Sequence, residues 1–310
     1  MLYLCMEFGK VQPQEIPLID FSLPPDPDFN QATFGKNPSS QKLKVHIGCV
    51  TWGSKDWVGE VYPPGIKEAR FWEAYAKQFS CMELNATFYQ VYPAETIAKW
   101  KERAAANPEF LFCPKFSKQI SHASSLKTTY DLTTAFYDGI LAFGEKLGPL
   151  FLQLSDYFGP ERFAELESYL KQLPKEVPVF VELRHERWFS DKQLQEKVFA
   201  MFRSLNIGAV ITDAAGRRDA VHMHLPMPAA FVRFVGNSLF SENNYQRADD
   251  WVKRIKIWQQ QGLQSLFLFV HLQQTLAEPK LADYFIQKLN AELGLQLKRP
   301  QFIQKPLELF

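Results

Sequence analysis

Short apolar runs alternate with amphipathic stretches eight times along this chain, and in nearly every run a polar residue stands at the C-terminal end. The runs are Val45–Val50, Cys81–Asn85, Phe110–Lys115, Leu150–Leu154, Val179–Arg184, Ala209–Asp213, Phe231–Val235 and Leu266–His271. Between them apolar residues recur at helical spacing, as in Phe163, Leu166, Tyr169, Leu170 and Leu173. This alternation predicts an α/β protein with parallel strands. Eight such units predict a single (β/α)8 barrel of the TIM type, its polar strand ends converging on one mouth.

Side-chain parity sharpens the expectation, because successive strand residues point to opposite faces. In the fifth run Val179, Val181 and Leu183 share the face that packs under helices, leaving Phe180, Glu182 and Arg184 to point inward. The second run sends Cys81, Glu83 and Asn85 inward, and the eighth sends Phe267, Phe269 and His271. The same rule assigns Lys115, Gln153, Asp213 and Arg233 to the mouth, with Phe180, Ile211, Phe231 and Phe267 filling the interior below.

Length and composition fit one barrel plus an extension. A chain of 310 residues exceeds the ~250 of such a core. Residues 1–42 hold Pro13, Pro17, Pro24, Pro25, Pro27 and Pro38 without a sustained period, so they read as an N-terminal extended strap or partly disordered arm. The barrel domain is then 43–310. No segment approaches the roughly 18 uninterrupted apolar residues of a membrane span, and Met1–Phe8 is too short for a leader. A cytoplasmic location is the resulting expectation.

A net charge of +1 gives no global pull toward nucleic acid or membrane. Cys5, Cys49, Cys81 and Cys113 are too few and scattered for a disulfide framework and lack a zinc pattern; the last three follow the βα repeat and read as buried thiols on neighbouring strands. Walker-type, GxGxxG, GxSxG and HExxH motifs are absent, so neither a cofactor nor a metal is expected.

At IGCVTWGSKDWVGEVYPPG, MELNATFYQVYP, FLFCPKFSKQISH, LGPLFLQL and VELRHERWF the chain resembles the YecE-like family, domain of unknown function family 72. The match runs from about residue 44 to about 290. The resemblance implies a TIM-type barrel and no settled activity. Two departures fall at the mouth. Where members tend to carry Arg-x-His-Gly at the seventh strand this chain reads Arg233, Phe234, Val235, Gly236, and where they close the eighth with Asn-Asn it reads His271, Leu272.

Glu83 and Glu182 are the leading carboxylates for acid–base work, because a carboxylate inward at a strand end must be paired or shifted in pKa. The competing reading is a structural ion pair with Lys115 or Arg184. Asp213 either joins the mouth or folds its own loop. His271 is the best placed histidine for proton transfer or else a satisfied semi-buried one. Lys115, Arg184 and Arg233 suit a phosphate or carboxylate. Among them Arg233 reads as the principal anion contact, since its own strand carries no carboxylate. Trp52, Tyr89 and Trp188, with His185, Asn85 and Gln153, complete a rim suited to a sugar or base, unless the rings only pin loops.

These readings predict a hydrolase or isomerase acting on a small anionic or sugar-like ligand. The rival is a non-catalytic binder of nucleotide or single-stranded nucleic acid, disfavoured by the near-neutral charge.

Overall fold

The computed structural model describes residues 9–34, 42–237 and 241–304. The opening residues read as lacking a leader, together with Cys5 and Pro38, lie outside them. Eight parallel strands alternate with helices: β1 Lys44–Cys49, β2 Cys81–Leu84, β3 Leu111–Pro114, β4 Leu150–Gln153, β5 Val179–Glu182, β6 Gly208–Asp213, β7 Ala229–Val235 and β8 Ser265–His271. The strap carries α1 Phe29–Phe34. The crossovers hold α2 Phe71–Gln78, α3 Ala86–Tyr89, α4 Ala94–Arg103, α5 Lys118–Ser121, α6 Tyr130–Ile140, α7 Phe163–Gln172, α8 Lys192–Ser204, α9 Ser241–Gln261 and α10 Glu278–Leu293. Between β6 and β7 no α-helix forms, and Arg218–Ala220 is a single 3-10 turn.

The strands form a six-stranded sheet in the order β1-β8-β7-β6-β5-β4 and a two-stranded sheet β2-β3, rather than one continuous ladder. At the edge between β1 and β2, side chains supplement a backbone bond from Ser80 N to Ile47 O at 3.3 Å. Tyr75 Oη accepts the Cys49 N–H at 2.8 Å and lies 2.8 and 3.0 Å from the Cys49 and Cys81 carbonyls. Ser80 Oγ accepts the Ile47 N–H at 2.9 Å. Gly48 permits this approach, since a Cβ there would stand 2.2 Å from Cys81 O. Between β3 and β4 the backbone bonds are Gly148 N to Phe112 O, 2.7 Å, and Phe116 N to Phe151 O, 3.0 Å.

Alternation sorts the apolar residues into two cores. Val179, Val181, Leu266 and Leu268 join the large outer core under the helices. Cys81, Cys113, Phe151, Phe180, Val210, Phe231, Phe267 and Phe269 form the inner one. The expected parity holds on β2, β5, β7 and β8 and fails on β6. There Val210 points inward and Ile211 outward, so Thr212 faces in and Asp213 faces the helical layer.

The strap is ordered over residues 9–34 and lies against the 214–225 segment. Gly9 O accepts the Gly216 N–H at 2.8 Å, and Asp26 accepts from Arg254 and Trp258 of α9. Asn30 grips both sides of Met223, bonding Met223 O and Leu225 N at 2.9 Å each. Met223 has φ of 55°, a strained conformation for a bulky residue, and these bonds hold it.

Replacing Tyr75 by Phe removes the hydroxyl at the β1/β2 edge and leaves a buried Cys49 N–H unpaired. The expected cost is about 1–3 kcal/mol in urea unfolding; an unchanged midpoint would show that the hydroxyl is not holding that edge.

Candidate functional site

At the C-terminal ends of the strands the inner core gives way to a layer of charge. Strand ends carry the polar residues because the backbone there is about to leave the sheet, so a charged group can reach either a partner or solvent. Glu83 is the last residue but one of β2, Lys115 follows β3, Gln153 ends β4, Glu182 ends β5, and Arg233 lies within β7. All five are almost fully buried. Their mutual bonds answer the cost of burying them.

Arg233 sits at the centre. Its Nε and Nη2 donate to Glu83 Oε2 and Oε1 at 2.9 and 3.1 Å, while Nη1 donates to Glu182 Oε2 at 3.2 Å. Glu182 also accepts from Arg184 Nε at 3.2 Å and from Gln153 Nε2 at 2.8 Å. The Gln153 oxygen in turn accepts from Lys115 Nζ at 2.8 Å. Asn85 Nδ2 donates to Glu83 Oε1 at 3.1 Å. The cations rest on aromatic faces, with Lys115 Nζ 4.1 Å from the Phe88 ring centre and Arg233 5.8 Å from that of Phe151.

These contacts fix the ionisation states. Burial pushes the Glu83 carboxyl up, but Arg233, its bonds and Lys115 outweigh that and leave it below its ordinary value. Burial likewise opposes Glu182, yet Arg233, Arg184, Gln153 and Lys115 bring it down to about 2. His271 is lowered to about 4, first by burial and then by the Arg233 charge, with Glu83 opposing. Near neutral pH the layer therefore holds two carboxylates and a neutral imidazole beside Lys115, Arg184 and Arg233.

Several expectations require correction. Arg233 is not an uncompensated anion contact, because it is enclosed between two carboxylates. Asp213 is not in the mouth: it bonds Arg218, Arg247 and the Trp251 indole at 2.7 Å, on the outer side of β6. Burial raises its pKa, but Arg247 and Arg218 hold the carboxyl low. Trp188 is wholly buried, its indole donating to Phe158 O at 2.7 Å, so it anchors its loop rather than offering a stacking face. Trp52 packs edge-on against Trp72 at 4.8 Å. His185 Nδ1 caps a 3-10 turn by accepting the Arg187 N–H at 3.2 Å. Tyr89 is exposed and stands edge-on to Phe88.

Two residues escaped the sequence reading. Thr212, placed inward by the true β6 parity, is buried beside Arg233 in the β6–β7 register. Glu278 opens α10 and is fully buried; its Oε1 accepts the Leu272 N–H at 2.9 Å, tying the chain after β8 to that helix. Burial drives its pKa well above the ordinary carboxylate value, with the backbone and side-chain bonds at Leu272 and Thr51 opposing. The signal for Glu278 was only an acid in a helix's first turn, a common arrangement. Among the described residues no group of three or more His, Cys, Asp or Glu is placed to hold a metal ion. Nor is any helix there long and apolar enough to cross a membrane.

Comparison with known proteins follows the same outline. A sequence profile described as "Protein of unknown function DUF72" matches residues 46–304. The UPF0759 protein YecE of Escherichia coli strain K12 is 28% identical over 278 residues, spanning 83% of this chain and 98% of that protein. The UPF0759 protein YunF of Bacillus subtilis strain 168 is 23% identical over 255 residues, 73% of this chain and 88% of that one. Among solved structures, a DUF72 family protein from Enterococcus faecalis V583 superposes with a TM-score of 0.63 at 18% identity, covering 85% of this chain and all of that one (100%). Another, from Thermotoga maritima MSB8, gives 0.58 at 18% identity, over 81% and 100% of the respective chains. These structures bear on the fold alone.

The histidines make stability sensitive to mild acid. Burial is the first cause of lowering for His46, His122, His224 and His271, each to about 4, and for His222, to about 3. A folded pKa below the unfolded value of about 6.5 means that the unfolded chain takes up the proton first, so stability is present above pH 6.5 and is lost as pH falls toward 4. The urea midpoint should fall steadily across that window, and a flat profile would contradict these environments.

Proposed function

The chain belongs to the DUF72 family of proteins of unknown function, and we propose that within it the buried charge layer is the binding site of an enzyme for small anionic substrates. The observation that carries this is the convergence of Lys115, Arg184 and Arg233 with Glu83, Gln153 and Glu182 in one bonded, nearly fully buried network at the strand ends. Guanidinium and ammonium donors held in fixed positions at strand ends suit a phosphate or carboxylate entering there.

The two sheets are, in this reading, arcs of one closed (β/α)8 barrel, joined by the contacts at β1/β2 and β3/β4. Its C-terminal mouth is then where barrel enzymes do their chemistry. The buried thiols Cys49, Cys81 and Cys113 suit a reducing, cytoplasmic compartment.

Glu83 and Glu182 serve here as fixed counter-charges. Held ionised, they cannot donate a proton near neutral pH. His271, neutral and at the end of β8, is the group able to accept one, and a hydrolase or isomerase acting on a phosphate-, sugar- or nucleotide-containing substrate fits that arrangement. Arg184, at the β5 end and slightly less enclosed than Arg233, is the cation best placed to meet the substrate. The α3 aromatics Phe88 and Tyr89 border the same mouth.

Titration calorimetry with inorganic phosphate and glycerol 3-phosphate tests the proposal. Binding is expected, weakened by about 1.5–3 kcal/mol in Arg184→Ala, the range for a hydrogen bond to a charged group. No phosphate binding, or an affinity unchanged by the substitution, would overturn it. Salt-sensitive binding of a short single-stranded oligonucleotide in place of the phosphates would favour a nucleic-acid binder instead.

A further inference from the structure

Phe21 of the strap is buried over two guanidinium groups at once, those of Arg218 and Arg247, which stand 5.2 and 4.6 Å from its ring centre. Both arginines bond the fully buried carboxylate of Asp213 at the end of β6. Arg218 also donates to the strap carbonyls of Phe21 and Ser22 at 3.2 and 3.3 Å. Ile16 and Phe21 pack on Ala215, just beyond that strand. Gly9, at φ of 74°, brings the strap backbone against Ala214, where a Cβ would stand 2.6 Å from the Ala214 Cβ. Phe21 is therefore the cover of a buried ion cluster. Residues 214–218 are clamped between that cluster and the strap.

The other side of the same loop reaches the mouth. Arg217 Nη1 donates to the backbone carbonyl of Arg184 at 2.6 Å, while its Nε and Nη2 hold Asp219 at 2.8 and 2.7 Å. Directly after Arg184, His185 opens the 3-10 turn Glu186–Trp188. The clamp itself is light. Within residues 9–22 only Ile16 and Phe21 are buried, and Leu18 is 85% exposed, so this stretch opens at a lower free energy than the barrel beneath it.

We propose that the strap is a positioning device for the mouth: Phe21 locks the loop after β6, and Arg217 passes that restraint to the β5 end at Arg184. With the strap seated, the Asp213 cluster is dry and its ion pairs are strong. Lifting the strap admits water, screens those pairs and takes two carbonyl acceptors from Arg218. Residues 214–218 are then released, and Arg217 no longer fixes the peptide that joins Arg184 to its turn. The mouth thus has an ordered state with the strap seated and a loosened one with it lifted. This device governs the order of the β5 end whatever ligand the mouth takes, and so stands apart from anion binding.

Hydrogen exchange followed by mass spectrometry on the full chain reads this directly, because both ends of the relay carry bonded amides. Gly216 N is bonded to Gly9 O and Ala220 N to Arg217 O, whereas the N–H groups of Arg187, Trp188 and Phe189 are bonded within the turn after Arg184. Phe21→Ala should speed exchange at least about tenfold in both segments, 214–221 and 185–189, and leave β1 and β8 unchanged. The milder Phe21→Leu keeps apolar bulk, loses the ring face, and should speed the same two segments by less. In Arg217→Met, which keeps the aliphatic stem, 185–189 should already exchange faster, and adding Phe21→Ala should then speed 214–221 alone. Parent-like exchange at 185–189 in Phe21→Ala overturns the proposal. Equal acceleration along the whole chain also overturns it, because Phe21 would then be a general stabiliser. An effect of Phe21→Ala on 185–189 that survives Arg217→Met removes Arg217 from the relay and overturns it as well.

Discussion

Arg233 is held between two carboxylates that belong to different sheets. Glu83 lies near the end of β2 in the two-stranded sheet, and Glu182 ends β5 of the six-stranded sheet that also contains β7. One guanidinium therefore ties the two sheets together across the inner face. Its planar fork makes this geometry accessible, offering Nε and Nη2 to one carboxylate and Nη1 to the other. Lysine, with a single ammonium, could not span both.

Such a centre is costly to build from an apolar interior. Burying paired charges often gains nothing over a well-packed hydrophobic core, whereas removing one partner costs heavily. The arrangement is thus better explained by what it prepares than by stability. With both glutamates ionised and Gln153 relaying Lys115 to Glu182, the cations are fixed in place on the floor of Phe151 and beside Phe88. A ligand meeting them need not reorganise the site, and preorganised charge in a dry layer is where electrostatic stabilisation is strongest. The strap contributes from outside, since it holds the 214–225 segment that follows β6 on the same end.

Much of this was legible in the sequence where polar and apolar residues alternate cleanly. On β2 and β5 the inward Glu83 and Glu182 are flanked by Leu84, Val181 and Leu183, so parity placed them correctly. On β6 the run Ala209, Val210, Ile211 is apolar at every position, and nothing in it marks which face is inward. Asp213 was misplaced for that reason and Thr212 overlooked. The distinguishing partners, Arg247 and Trp251, lie on a helix beyond another strand. Arg233 failed differently: its strand carries no carboxylate, but its partner Glu83 is 150 residues away in sequence. Trp188 shows the limit for rim aromatics, since a loop ring that stacks on ligand and one that pins its loop have the same local sequence.

A double-mutant cycle between Glu83 and Arg233 tests the central claim most directly. Glu83→Gln, Arg233→Met and the double variant would be compared with the parent chain by urea unfolding. Each single change should cost about 3–5 kcal/mol, because each strands a buried charge. The double variant should be no less stable than the worse single, giving a coupling of a few kcal/mol. Costs that simply add would mean that the two side chains act independently and that Arg233 is not what joins the sheets.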